Sequence, residues 1–302
     1  MSYTPETMPK SEATAPGMKT VKGDLTNMLA RADSEDLVYA RKNGHNLKIR
    51  MVYPDQHGNE TTRYPVVVHV QGSAWFKQNL NGHIFDFKDI VTSGYILAVI
   101  EYLPIPDATF PSHVEDCKTA VRYLVDHADE LPVDITNLFL SGDSSGGHTA
   151  LLSWATWGTD QLDASSRPLP DIRGIIDLYG VTDLTTISTP NSTVPHDVPT
   201  SPENLLLADF LSDGAVDRKM AGTVHHYLKD DVTYPPLLIM HGNRDTIVPF
   251  EQSTELHTIC TSRGIDSTFY CVDEADHGGG PFFTQEVIDI MIDFLQSHTA
   301  SD

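Results

Sequence analysis

The 302-residue chain has few cysteines, few cationic side chains and no long apolar run, and each scarcity excludes a class of protein. Cysteine occurs only at Cys117, Cys260 and Cys271, a scattered set without a Cys-x-x-Cys motif. This excludes a disulfide framework and a cysteine-rich zinc site, and it favours a reducing compartment. No apolar run approaches the roughly 18 residues of a membrane span. The first ten residues lack the features of a secretory signal, so we expect a cytoplasmic protein without a membrane partner.

Positive charge is also scarce. The chain has 20 lysines and arginines against 42 aspartates and glutamates, which gives a formal net charge of −22 at pH 7. Such a surface repels nucleic acids and anionic lipids, so neither is an expected partner. No group of histidines and carboxylates has metal-ligand spacing, and no phosphate-binding glycine loop is present. We therefore expect no metal and no cofactor, and the sequence leaves the oligomeric state open.

Strand-like and helix-like segments alternate along the chain, which is typical of an α/β fold. Eight segments have the apolar content of strands, at residues 37–40, 47–53, 65–70, 95–100, 138–140, 174–179, 236–240 and 267–272. Helices are predicted at residues 84–92, 114–128, 149–155, 251–260 and 285–295. The near-continuous apolar strands are typical of a parallel sheet that is buried on both faces. We therefore predict a mostly parallel eight-stranded sheet with helices on both faces.

The two ends of this pattern and one internal segment differ from the rest. Residues 1–20 are polar and contain three prolines, which predicts a loose N-terminal arm. Residues 21–302 are predicted to form a single domain. Within it, residues 181–233 (the insert) are long, polar and rich in proline, threonine and serine. Connections of this length inside a domain are usually functional, so we expect a small cap over the active site.

A serine lies at the apex of a predicted strand–turn–helix unit. Ser144 stands in Gly142-Asp-Ser-Ser-Gly146, a G-x-S-x-G pattern whose small residues permit a very sharp turn. The turn exposes the serine hydroxyl and points the N-terminus of the next helix at any oxyanion that forms there. The pattern predicts Ser144 as a nucleophile.

A serine nucleophile needs a base, and the base needs an orienting acid. His277 follows the last predicted strand and precedes three glycines that allow close approach. Asp245 follows the preceding strand. Both lie past the carboxyl ends of parallel strands, where α/β sheets build their sites. We therefore predict Asp245 and His277 as the acid and the base.

Other acids and histidines compete for these roles. Asp273 and Asp276 are closer to His277 in sequence, but neighbours in one loop rarely orient each other's side chains. The chain has fourteen histidines, so proximity to a glycine is weak support for any one of them. Packing, solvation or a structural hydrogen bond is the expected role of His148, His225, His226 and His241.

An oxyanion hole is the third requirement of this chemistry. The backbone N–H of Ser145, next to the nucleophile, is one expected donor. The loop after the 65–70 strand, residues 71–75 (the oxyanion loop), supplies Ser73 and Ala74 as the other expected donors. The remaining residues of this loop are assigned to the substrate site, and they are Gln71, Gly72 and Trp75. Trp75 and the following Phe76 are candidates for stacking on a sugar or aromatic ring of the substrate, with core packing as the alternative.

Together these motifs resemble the α/β-hydrolase superfamily, and within it the bacterial hormone-sensitive-lipase-like and feruloyl-esterase-like esterases. The resemblance spans roughly residues 35–297 and lies in Phe110-Pro111, Gly142-Asp-Ser-Ser-Gly-Gly147, His241-Gly-Asn-Arg-Asp245, Val248-Pro249 and Asp276-His-Gly278. It implies an α/β-hydrolase fold and a carboxylic ester hydrolase with Ser144, Asp245 and His277 as its triad. The chain departs from these families at the oxyanion loop. It has Gln71-Gly-Ser-Ala74 in place of the usual His-Gly-Gly-Gly, so two glycines are replaced by residues with a Cβ.

The expected function is the two-step hydrolysis of small soluble esters. The resemblance points to acetyl or hydroxycinnamoyl esters of carbohydrates. Two alternatives stay open, namely a serine peptidase of the same fold and a non-catalytic hydrolase-like binding module. A peptide substrate assayed beside an ester tests the first, and reaction with a fluorophosphonate probe tests the second.

Overall fold

The computed structural model describes residues 7–24, 26–55, 62–190, 192–208, 211 and 215–300. Nine strands join into one sheet. In chain order they are β1 (Leu29–Ala32), β2 (Leu37–Lys42), β3 (His45–Asp55), β4 (Tyr64–Val70), β5 (Ile96–Ile100), β6 (Val133–Asp143), β7 (Ile172–Leu178), β8 (Leu237–Gly242) and β9 (Ser267–Val272).

The spatial order of the sheet is β1-β3-β5-β4-β6-β7-β8-β9, with β2 paired to β3. Strands β4 to β9 run parallel to one another, while β3 is antiparallel to β5. β2 and β1 pair with successive stretches of β3, both antiparallel. The carboxyl ends of the six parallel strands therefore meet at one edge, where α/β sheets place their ligand sites.

Helices cover both faces of the sheet. Those described are α1 (Lys88–Thr92), α2 (Ser112–Asp126), α3 (Ser144–Ala155), α4 (Pro202–Leu207), α5 (Ala215–Ala221), α6 (Phe250–Ser262) and α7 (Gln285–His298). Successive side chains of a strand point to opposite faces. Along β4, Val66 and Val68 accordingly belong to the core cluster that contains residues of α2, α3 and α6, whereas Val67 belongs to the cluster that contains residues of α1 and α7. This confirms the predicted α/β-hydrolase-type architecture.

The structure corrects the prediction in two places. Over the described ranges the sheet has nine strands and not eight, because Leu29–Ala32 pairs with the end of β3. Its side chains are all exposed, so it lacks the apolar pattern of a buried strand. The predicted helix 84–92 is shorter and begins at Lys88, because turns occupy the residues before it.

Residues 7–20 of the predicted arm are exposed and contain no helix or strand, and residues 1–6 lie outside the described residues. The insert contains α4, α5 and a short 3-10 turn, Val224–Tyr227. Among the helices of the described residues, none is both long and apolar enough to cross a membrane.

Candidate active site

The sharp turn predicted around Ser144 joins β6 to α3. Ser144 has a φ of +52°, in the left-handed region that a residue with a Cβ adopts only under strain. The flanking glycines make this turn possible. A Cβ at Gly142 would overlap the carbonyl oxygen of Gly146, and one at Gly146 would overlap the carbonyl oxygen of Val70. The turn holds the Ser144 side chain at the N-terminus of α3, above the carboxyl edge of the sheet.

The three residues predicted as nucleophile, base and acid meet at this turn. The Nε2 atom of His277 lies 2.8 Å from the Ser144 hydroxyl, and its Nδ1 lies 2.7 Å from Oδ2 of Asp245. Three separate segments of chain, after β6, β8 and β9, supply them. The ring of Tyr179 packs edge-on against His277, with ring centroids 4.9 Å apart. This geometry suits the transfer of a proton from serine to histidine.

Asp245 is held in place by three donors in addition to the one on His277 that it orients. Its Oδ1 accepts hydrogen bonds from the backbone N–H groups of Ile247 and Val248, both at 2.8 Å. Its Oδ2 also lies 3.0 Å from Nε2 of His241. Burial by itself raises the pKa of Asp245, but hydrogen bonds with His241 and His277 hold it well below its ordinary value. The carboxyl group is therefore ionised and ready to stabilise an imidazolium.

The two competing acids make other contacts. Asp276 accepts from the backbone N–H and hydroxyl of Thr246 and from the backbone N–H of His277, without a hydrogen bond to its ring. Asp273 accepts from the side-chain amide of Asn243. Both therefore shape the loop, whereas Asp245 is the carboxylate that bonds the His277 ring.

The oxyanion loop differs from the sequence expectation at Ser73. The side-chain hydroxyl of Ser145 accepts hydrogen bonds from the backbone N–H of Ser73 at 2.9 Å and from that of Trp75 at 3.1 Å. The Ser73 N–H is thus already engaged. Ala74, with a φ of +50°, lines the space beside Ser144, and no hydrogen bond of its N–H occurs in the described part of the chain. The N–H groups of Ala74 and Ser145 are therefore the candidate oxyanion donors.

Gln71 and Gly72, predicted as substrate-site residues, support the loop, and neither is among the residues that line the cavity beside Ser144. The side chain of Gln71 accepts from the backbone N–H of Asn79 at 2.6 Å. The N–H of Gly72 donates to Oδ1 of Asp143 at 2.8 Å. Burial would raise the pKa of Asp143, but His69 and His83 beside it hold the pKa well below its usual range. The ionised Asp143, one residue before the nucleophile, thereby ties the loop to the turn.

A cavity of about 330 Å³ opens beside Ser144, between the oxyanion loop and the insert. Its lining is mostly apolar, and it comprises Ala74, Trp75, Ser144, Ser145, Val181, Ile187, Val194, Pro195, His196, Val198, Thr200, Ser201, Pro202, Glu203, Ile247 and Val248. This volume lies at the small end of the range for small-molecule sites, roughly 300–1,000 Å³. The insert thus forms one wall of the space in front of the nucleophile.

Trp75 lines this cavity as a fixed wall. Its ring is 2% exposed, and its Nε1–H donates to Nδ1 of His148 at 3.2 Å. The opposite nitrogen of His148 donates to the carbonyl of Gly222 in the insert at 2.7 Å. Burial lowers the pKa of His148 to about 4, although the bond to Gly222 raises it, so the ring is neutral. His148 therefore joins the oxyanion loop to the insert, a role more specific than the expected packing.

Residues 52–259, more than half of the chain, match the BD-FAE family. The chain belongs to this family of α/β-hydrolase esterases. The BD-FAE match contains Ser144 and Asp245 and ends before His277. The chain is also 26% identical, over 202 residues, to Esterase LipC of Mycobacterium tuberculosis, a match that covers 63% of this chain and 46% of LipC. It spans about half the length of the curated relatives it matches.

Solved structures show the same fold. A truncated carbohydrate esterase from gut microbiota superposes with a TM-score of 0.71 at 23% identity, covering 91% of this chain and 98% of its own. An esterase of Thermogutta terrifontis with butyrate bound superposes with a TM-score of 0.69 at 22% identity, covering 87% of this chain and 93% of its own.

Three residues around the active site of this BD-FAE family member were not identified from the sequence. They are His196 and Glu203, which bond each other in the cavity wall, and Asp143, which anchors the oxyanion loop. Asp143 lies inside the G-x-S-x-G pattern and could have been singled out as a buried acid beside Ser144. His196 and Glu203 stand in the aperiodic insert, so no sequence pattern connects them.

Proposed function

We propose that this member of the BD-FAE family is a serine carboxylic ester hydrolase that works through an acyl-enzyme. One observation carries the proposal. The Ser144 hydroxyl, the His277 ring and the Asp245 carboxylate form a continuous hydrogen-bonded array, with separations of 2.8 and 2.7 Å, beside a cavity of about 330 Å³. Such an array activates a serine that is otherwise a weak nucleophile.

In the first half-reaction, the Ser144 oxygen attacks the carbonyl carbon of the ester while Nε2 of His277 takes its proton. Asp245 stabilises the resulting imidazolium through Nδ1. The negative charge on the former carbonyl oxygen is held by the N–H groups of Ala74 and Ser145. When the tetrahedral intermediate collapses, the bond to the alcohol breaks, and His277 delivers its proton to the leaving oxygen.

In the second half-reaction, water attacks the acyl group on Ser144. His277 takes a proton from the water, and the same two N–H groups hold the second oxyanion. Collapse of this intermediate releases the carboxylic acid and returns the proton to Ser144. Both half-reactions use only groups of this chain, its substrate and water.

We further propose that the substrates are small soluble esters, with acetyl or hydroxycinnamoyl esters of carbohydrates as the natural class. The small apolar cavity supports this, since it has little room for long chains. The family membership, a structural neighbour that is a carbohydrate esterase and another with bound butyrate also support it. We propose that the insert 181–233 acts as the cap of this site.

The decisive kinetic test is Ser144→Ala, assayed on nitrophenyl acetate. We expect kcat/KM to fall about 10⁴-fold or more, because the triad acts as a unit. The matched control is Ser153→Ala. Ser153 is a buried serine of the same helix whose hydroxyl donates to the Thr149 carbonyl and is not part of the cavity lining, so this variant should stay active. If Ser144→Ala kept more than a few per cent of the activity, the mechanism would be wrong.

A substrate panel separates the proposal from its alternatives. Among nitrophenyl esters, we expect efficiency to be highest for acyl chains of about two to four carbons, because the cavity is small. A rise that continues to long acyl chains would favour a lipase. Faster cleavage of a peptide amide than of an ester would favour the peptidase. Absence of any turnover by well-folded protein would favour the binding module.

A further inference from the structure

The cavity beside Ser144 contains one polar side chain that no step of the proposed reaction uses. Glu203 lines the cavity at the start of α4 and is 3% exposed. Its Oε1 bonds Nδ1 of His196 at 2.9 Å, whereas its buried Oε2 has no hydrogen-bond partner among the described residues. A buried carboxylate oxygen without a donor is unfavourable, which points to a donor that arrives with a ligand.

His196 fixes both the position and the charge of this group. Its Nδ1 faces the Glu203 carboxylate, and its Nε2 faces the carbonyl oxygen of Ile247 at 3.1 Å. Both of these atoms are acceptors only. Nε2 also lies 3.1 Å from the hydroxyl of Ser192, which donates to the carbonyl of Val194 at 3.0 Å and therefore accepts from the ring. Both ring nitrogens thus face acceptors, which favours a hydrogen on each and an imidazolium. Burial opposes this charge, but the hydrogen bond and charge of Glu203 hold the pKa of His196 above its ordinary value. Glu203 and His196 thus form a buried ion pair without net charge.

The charge balance selects the kind of donor. Among the described residues that line the cavity, only Glu203 and His196 are charged, and most of the others are apolar. An ammonium group on a ligand would leave one positive charge unbalanced there, and an anion would meet the carboxylate oxygen directly. A neutral hydroxyl donates to Oε2 and leaves the net charge at zero, so it suits the site best.

We propose that Glu203 is a specificity-determining residue, whose Oε2 accepts a hydrogen bond from a neutral hydroxyl group of the ester substrate. His196 is the positioning residue that holds the carboxylate. This inference rests on the proposed function, since it takes the cavity as the ester site. The hydroxyl has two possible sources with the same chemistry, the phenol of a hydroxycinnamoyl acyl group and a free hydroxyl of a polyol or sugar alcohol.

Two pairs of esters distinguish these sources. The acyl pair is methyl 4-hydroxycinnamate and methyl cinnamate, and the alcohol pair is 2,3-dihydroxypropyl acetate and propyl acetate. For the wild-type protein, we expect kcat/KM to be about 10- to 100-fold higher for the hydroxylated ester of at least one pair, as a hydrogen bond to a buried charged group would give. The pair that responds identifies the source. Equal values within both pairs would overturn the proposal.

Glu203→Gln tests the residue itself. Because His196 donates to this side chain, the amide oxygen of glutamine must face His196, and its NH₂ group must then take the position of Oε2. The variant therefore offers a donor in place of an acceptor, and we expect the preference for the hydroxylated ester to disappear. Glu203→Gln that folds and keeps the wild-type preference would contradict the proposal. If it does not fold, the wild-type ratios still decide.

The control is Leu206→Val, which disturbs the packing of α4 at a buried residue outside the cavity lining. It should lower stability and leave the kcat/KM ratio within each pair as in wild type.

An ammonium-bearing ester, methyl 4-(aminomethyl)cinnamate, should be a poorer substrate than the 4-hydroxy ester. The reverse order would overturn the choice of a neutral hydroxyl. Failure of the proposed function would be distinguishable from failure of this inference, because ester hydrolysis would then persist in the Ser144→Ala variant.

Discussion

At the scale of single residues, the site depends on how one carboxylate is held. Asp245 receives hydrogen bonds from two backbone N–H groups and two histidines, and it is fully buried. Its ionised state and its position are therefore fixed before any substrate binds. This fits an acid whose task is to orient His277 and stabilise its charge, and preorganisation of this kind is a large term in catalysis.

Asp245→Asn should lower kcat by a factor on the order of 10³ or more, because an amide cannot hold the imidazolium or the required tautomer. The control is Asp276→Asn, next to His277, whose carboxylate bonds Thr246 and no ring nitrogen. Steady-state kinetics on nitrophenyl acetate measures both. A larger loss in Asp276→Asn than in Asp245→Asn would mean that the acid has been assigned to the wrong residue.

Asp177, at the end of β7, gives a prediction about pH. Burial raises the pKa of its carboxyl group from 3.8 to about 8, although the backbone N–H of Gly180 acts to lower it. Among the described residues, no side chain donates a hydrogen bond to either carboxyl oxygen. Between pH 4 and pH 8, the folded protein therefore holds a proton that the unfolded chain has lost. The contribution of Asp177 to the free energy of unfolding therefore falls as the pH rises through this window.

Asp177→Asn removes this titration. The stability of the variant relative to wild type should increase by an amount on the order of 3 kcal/mol between pH 5 and pH 8. Urea unfolding at the two pH values measures the difference. With the exposed Asp129→Asn as a control, the difference from wild type should stay constant. A difference that is equally constant for Asp177→Asn would show that Asp177 is ionised throughout.

At the scale of elements, the oxyanion loop depends on a hydroxyl group of helix α3. The Ser145 hydroxyl accepts hydrogen bonds from the backbone N–H groups of Ser73 and Trp75. These two bonds hold Ala74, which lies between those residues, beside Ser144. The loop carries two successive residues with positive φ, Ala74 and Trp75. Such a conformation persists only where its surroundings hold it.

Ser145→Ala should therefore loosen the loop and lower kcat about tenfold, since oxyanion donors act only from fixed positions. KM should change little, because the cavity walls stay in place. The comparison is with Ser153→Ala in the same helix, which removes a buried hydroxyl that donates to the Thr149 carbonyl. If the two variants have the same kcat, the Ser145 hydroxyl has no part in positioning the oxyanion donors.

The elements differ in how well the sequence predicts them. Strands β2 to β9 were predictable, since their apolar or alternating segments are bounded by turn residues. β1 was not, because its four exposed residues owe their conformation to pairing with β3. In the site, Ser144, Asp245 and His277 were predictable, since each follows the end of a parallel strand. The Ser73–Ser145 bond and the His196–Glu203 pair were not, because they arise only when distant segments pack together.

At the scale of the whole molecule, the cysteines test the proposal of a reducing, cytoplasmic compartment. All three are free, with Cys117 and Cys260 buried and Cys271 exposed. Burial raises the pKa of Cys117 to about 11 and that of Cys260 to about 12, which makes both unreactive. A thiol reagent should titrate one group in the native protein and three after denaturation without reductant. A single titratable thiol in the denatured protein would reveal a disulfide.

The fold as a whole gathers residues from β6, β8 and β9 around a single serine, and the central claim is that this serine is the nucleophile. The most direct measurement is mass spectrometry of the intact protein, and of its peptides, after reaction with a fluorophosphonate. We expect one covalent adduct per chain, located on Ser144, with none in Ser144→Ala and a normal one in Ser153→Ala. No adduct on well-folded protein, or an adduct on another residue, would contradict the account.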